Sequence, residues 1–125
     1  MDRYVDRCID KAIRHNLDIF GAVLIQGPKW CGKTTTARRF AKSSLSLSDP
    51  AGNFSALQLA RIDPAQAIAG PSPRLIDEWQ EEPKLWDAIR FECDARQGES
   101  GQFILTGSAT PQDSKQPMHS GVGRI

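Results

Sequence analysis

No apolar run in the chain approaches the roughly 18 residues that a bilayer-spanning helix needs. The opening segment, MDRYVDRCIDKAIRHN, carries charge where a secretory signal would have its apolar centre. Both absences argue against a membrane protein and point to a cytoplasmic one. Cysteine is scarce: Cys8, Cys31 and Cys93 are odd in number and form no CxxC pair, so neither a disulfide framework nor a zinc site is suggested. His15 and His119 have no partner motif, which leaves no Ser–His–Asp arrangement to argue for. Neither charge sign dominates, since 16 basic residues face 15 acidic ones for a net charge of +1, and bulk electrostatics give no sign of a nucleic-acid or membrane partner. Internal repeats and low-complexity segments are missing as well.

What remains is 125 residues with 39% apolar and 25% charged content, which suits one globular domain with a core of its own. Residues 3–16 read as an amphipathic helix, with Tyr4, Cys8, Ala12 and Ile13 at helical spacing. Ala22-Val23-Leu24-Ile25 is a short continuous apolar run, the signature of a strand covered on both faces. A helix is expected over 34–44 and a short alternating strand over 44–49. One or two helices broken at Pro64 are expected over 54–69, and a strand over 74–77. Pro83 opens another helix, stopped at Gly98, and Phe103-Ile104-Leu105-Thr106 is again a buried strand. Everything after Ser108 reads as loop. Strands alternating with helices imply parallel pairing through right-handed crossovers, hence a three-layer α/β/α sandwich with a mostly parallel sheet. In such sheets ligands bind at the carboxyl ends of the strands.

One of those ends carries GPKWCGKTTT. Residues 27–34 match G-x-x-x-x-G-K-[ST] through Gly27, Gly32, Lys33 and Thr34, after a strand and before a helix. Polyphosphate needs several donors converging on a small volume. A tight glycine loop turns its backbone N–H groups inward, and the following helix presents its positive end to the same place. Lys33 adds a mobile charge for the β and γ phosphates, and the Thr34 hydroxyl is a candidate Mg²⁺ ligand. The residues expected to bind nucleotide are Gly27, Pro28, Lys29, Trp30, Cys31, Gly32, Lys33, Thr34 and Thr35. Trp30 and Cys31 fill the variable positions, where Trp30 suits a partly exposed packing role.

A phosphate loop alone does not imply hydrolysis. RLIDEWQ (74–80) adds Asp77 at a strand end, placed to hold Mg²⁺, and Glu78, placed to polarise a water for attack on the γ-phosphate. FILTGS (103–108) ends a further strand in hydroxyls, and Ser108, or Thr106 just before it, can reach the γ-phosphate or the attacking water.

Taken in order and with their gaps, GAVLIQGPKWCGKTTTA, RLIDEWQ, LWDAIR, GQFILTGSATP and HSGVGRI resemble the prokaryotic AAA-type ATPases in which the ATPase module precedes a C-terminal domain of unknown function. The resemblance runs from about residue 3 to the end. It implies an ASCE-type P-loop fold, with the FILTGS strand between the AVLIQ and RLID strands. It also implies Walker A at Gly27 to Thr35, Walker B at Asp77 and Glu78, sensor 1 at Ser108, and an arginine finger at Arg124 acting in trans on a second copy. Relatives continue into a fifth strand, a small helical lid and the C-terminal domain. This chain is therefore expected to be part of a longer protein, lacking that fifth strand and lid. That would leave an exposed sheet edge and weak, slow ATPase activity. The resulting expectation is an ATP- and Mg²⁺-dependent motor or switch module, whose further protein or DNA partner the sequence does not name. The alternatives are a P-loop kinase or phosphotransferase on a small molecule, and a nucleotide-dependent binding module without turnover. A GTPase lacks support, because no NKxD-type guanine-reading motif is present.

Overall fold

The computed structural model describes residues 3–27, 33–108 and 121–124, with side chains over 10–27 and 34–108. Helix α1 (Arg3–Ile19) leads into strand β1 (Ala22–Gly27), whose residues 22–25 are all buried, as a continuous apolar run demands. There follow α2 (Lys33–Phe40), β2 (Ser43–Ser46), α3 (Ala51–Ile62), α4 (Pro64–Ala67) and β3 (Arg74–Asp77). A 3₁₀ turn (Trp79–Glu81), α5 (Lys84–Ala95), β4 (Phe103–Ser108) and β5 (Gly121–Arg124) complete the described chain. Asp63 separates α3 from α4. Its backbone leaves the helical region and its side chain accepts from the Gln66 N–H at 3.2 Å, a cap placed just before the proline.

The sheet order is β2-β3-β4-β1-β5. The first four strands are parallel, and β4 lies between β1 and β3, as the family resemblance implied. Alternate residues of each strand face opposite layers. Ile25, Leu75 and Ile104 pack with Ile13 of α1 and Ala37 of α2 on one face. Leu24, Ile76, Phe103 and Leu105 pack with Ala60, Ala67, Leu85 and Ile89 on the other. The three-layer sandwich is the architecture observed.

Two local expectations are corrected. The helix expected over 34–44 ends at Phe40, because Ser43 and Ser44 are drawn into the sheet by parallel pairing with Arg74 and Leu75. The Lys42 N–H fixes that junction with a 2.8 Å bond to the Pro73 carbonyl. The loop expected after Ser108 holds a strand over 121–124, which runs antiparallel to β1 from Gln26↔Gly121 to Val23↔Arg124. The flank of β1 that was expected to stay open is paired over those four residues. Among the described residues no helix is long and apolar enough to cross a membrane.

Candidate functional site

The parallel register brings the strand ends into one row. Gly27 stands opposite Ser108, Asp77 opposite Thr106, and Ser46 opposite Asp77. Residues far apart in sequence thus meet at the carboxyl edge of the sheet, beside the start of α2. Asp77 is the centre of the row. It is 8% exposed, and a carboxylate so placed needs donors to replace lost water. Three hydroxyls supply them: Thr34 Oγ1 donates to Oδ1 at 2.7 Å, Thr106 Oγ1 to the same oxygen at 2.5 Å, and Ser46 Oγ to Oδ2 at 3.2 Å.

Glu78 follows at once but points elsewhere, because its backbone takes the left-handed conformation (φ 61°, ψ 52°). That geometry is unusual for a residue with a side chain and costs on the order of 1–3 kcal/mol. It ends β3 abruptly and starts the 3₁₀ turn, so neighbouring carboxylates are held by different partners. Ser108 Oγ donates to Glu78 Oε2 at 2.9 Å, and Gln80 Nε2 donates to Oε1 at 2.5 Å. The Glu78 N–H reaches Thr106 Oγ1 at 3.4 Å. The two hydroxyls of FILTGS therefore divide their work, Thr106 serving Asp77 and Ser108 serving Glu78.

Of the residues expected from sequence, Gly27, Thr34, Asp77, Glu78 and Ser108 come together here. Thr35 is exposed on α2. Lys33 is the first residue of α2, its side chain lying outside the described atoms, and Pro28, Lys29, Trp30, Cys31 and Gly32 lie outside the described residues. Arg124 pairs with Val23, four positions back along β1 from Gly27, at the far end of the sheet. Sequence reasoning missed Ser46 and Gln80. The alternation of SLSLSD signalled a strand but carried it to Asp49, so Ser46 was not read as a strand end, and nothing local marked Gln80.

The donor set fits Mg²⁺. The groups that converge are hard oxygens from hydroxyls and one carboxylate, and among the described residues no cluster of three His, Cys, Asp or Glu forms a cage. Mg²⁺ is ordinarily held by one or two protein oxygens, with phosphate and water completing the shell.

A cavity of about 510 Å³ lies at the other end of β1, lined by Gly21, Ala22, Trp86, Arg90, Cys93, Asp94 and Gly98. Burial pushes the Cys93 thiol above its ordinary pKa, with Asp94 and Glu92 adding to the rise and Arg96 opposing it, so the group stays a protonated, unreactive thiol near neutrality. The carboxylates and hydroxyls, not this cavity, form the candidate site.

A family described as "AAA domain" matches residues 20–125. Two curated relatives, uncharacterized protein Mb2031c of Mycobacterium bovis and uncharacterized protein Rv2008c of Mycobacterium tuberculosis, are each 35% identical over 115 residues, covering 90% of this chain and 25% of theirs. The chain thus spans about a quarter of the length of the curated relatives it matches. No solved structure matches it.

Proposed function

The chain belongs to the AAA-domain family, and from that premise we propose that it binds ATP with Mg²⁺ and hydrolyses it as the motor or switch module of a larger protein. The observation that carries the reading is the separation of two adjacent carboxylates into two environments. Asp77 Oδ1 accepts from the Thr34 hydroxyl at the start of α2, and Glu78 is turned away towards Ser108.

Residues 27–34 are read as the phosphate loop (Walker A). Its backbone N–H groups and the N-terminal end of α2 attract the phosphates, and Lys33 adds charge at the β and γ positions. Thr34 and Asp77 would hold Mg²⁺, which when bound neutralises charge on the phosphates. Thr106 and Ser46 fix the Asp77 carboxylate so that it needs little reorganisation. Glu78 accepts the proton of a water positioned for in-line attack, and Ser108 orients Glu78. Arg124, at the far end of β1, has a place in this scheme only in trans, on a second copy of the chain.

The test compares wild type, Lys33→Ala and Glu78→Gln. Lys33→Ala should weaken Mg²⁺–ATP binding by tenfold or more in titration calorimetry, as expected for a charge-assisted contact of about 1.5–3 kcal/mol. Glu78→Gln should bind like wild type and lose phosphate release by at least about 100-fold. Equal ATP affinity in Lys33→Ala would remove the phosphate-loop assignment, and undiminished release in Glu78→Gln would remove the assignment of the base.

A further inference from the structure

Gln80 takes no part in the reaction as proposed, yet it holds the residue that does. Its Nε2 donates to Glu78 Oε1, while its own Oε1 is buried with no hydrogen-bond partner among the described residues. A buried acceptor left unpaired has given up its water without a replacement. The neighbouring residue offers a matching donor, Trp79 Nε1, which is also buried and without a hydrogen-bond partner among the described residues. Both atoms lie 3.0 Å from the point where a Cβ on Gly107 would stand, and the glycine leaves that space to them. The indole is packed against Trp86, with ring centroids 4.7 Å apart, so of the two groups the amide is the one free to turn.

We propose that Gln80 is a positioning residue for Glu78 with two settings, one clamped on the carboxylate and one turned to the Trp79 indole. In the first, the arrangement described here, Nε2 holds Glu78 Oε1 and the indole N–H has no acceptor. In the second, Oε1 accepts from the Trp79 N–H and Nε2 withdraws from Glu78. Each setting makes one hydrogen bond at the expense of the other. A bond to a carboxylate is the stronger of the two, which accounts for the clamped form. A competing donor at the carboxylate offsets that advantage, and the attacking water is such a donor. The inference rests on the reading of Glu78 as the proton acceptor, and it makes Gln80 the group that yields the carboxylate to that water.

The experiment uses chain labelled with ¹⁵N-tryptophan and follows the indole N–H signals, the Trp79 signal being identified by its loss in Trp79→Phe. In Glu78→Ala, without nucleotide, the amide has lost its carboxylate, and the Trp79 indole proton should move downfield as its new hydrogen bond forms. In Glu78→Ala with Gln80→Leu it should return to the wild-type position. The Trp86 signal reports that the fold persists. A Trp79 signal unmoved in Glu78→Ala overturns the proposal, whatever the chain does with ATP. Failure to bind or hydrolyse ATP would instead overturn the functional reading. A kinetic arm covers a Glu78→Ala chain that does not fold. Trp79→Phe should lower kcat about tenfold with KM unchanged, the worth of one hydrogen bond, and should have no further effect in a Gln80→Leu background. Wild-type kcat in Trp79→Phe, or a full loss that persists beside Gln80→Leu, contradicts the two settings.

Discussion

Gly107 shows how a residue without a side chain can fix the chemistry around it. A Cβ there would meet Gln80 Oε1 and Trp79 Nε1 at 3.0 Å and Trp79 Cδ1 at 3.2 Å, tighter than most real Cβ contacts, so the neighbours must give by a few tenths of an ångström. Trp79 packs against Trp86, so Gly107→Ala must displace Gln80, shift the indole or bend β4. Overpacking of this kind costs about 1–3 kcal/mol. Urea unfolding should show the midpoint falling with an unchanged slope, and a variant as stable as wild type would mean that the turn yields easily. At this scale the sequence was informative where chemistry depends on spacing along the chain. Gly27, Thr34, Asp77, Glu78 and Ser108 all carry motif signals that survive a reading in one dimension. Ser46 and Gln80 do not. Ser46 reaches Asp77 only because β2 pairs with β3 in one register, and Gln80 reaches Glu78 only because Glu78 turns left-handed.

Among the elements, the parallel strands were the most legible, because a strand covered on both faces must be apolar throughout. β1 and β4 announce themselves in AVLI and FIL. Boundaries were less legible where pairing overrode local preference. The end of α2 is set by what Ser43 and Ser44 find in β3 rather than by any stop signal of their own. β5 was not legible at all, since Gly-Val-Gly-Arg has neither length nor alternation, and its only reason to be a strand is the free flank of β1. The helix α5 behaves in the opposite way. Leu85 and Ile89, one turn apart, are both fully buried against the sheet, so its packing follows from its own periodicity. Ile89→Ala should therefore cost about 2–5 kcal/mol, read as a lower midpoint in chemical denaturation. A loss below about 0.5 kcal/mol, typical of a surface position, would contradict the burial described.

For the whole molecule, the decisive feature is which strand closes the sheet beside β1. β1 has a parallel neighbour, β4, on one flank and the short antiparallel β5 on the other. An unpaired edge presents a row of backbone donors and acceptors to any second chain. Among the described residues, β5, with only four residues, is the element that keeps this side of β1 from serving as such a template over Val23–Gln26. Successive N–H groups along a strand point to opposite sides, so of Val122 and Gly123 one donates towards β1. Proline supplies no N–H and breaks the ladder at that residue. Of the pair Val122→Pro and Gly123→Pro, the one facing β1 should release β5 and give a mass that rises with concentration in light scattering, while the other stays close to wild type. The substitutions lie within two residues of Arg124, so the same samples, assayed for ATP turnover against concentration, separate edge-driven association from an arginine acting in trans. Association that raises turnover and is abolished by Arg124→Ala supports the trans role, whereas association with flat turnover assigns the contact to the open edge alone. Should both proline variants remain monomeric at every concentration, β5 would not be what guards this edge.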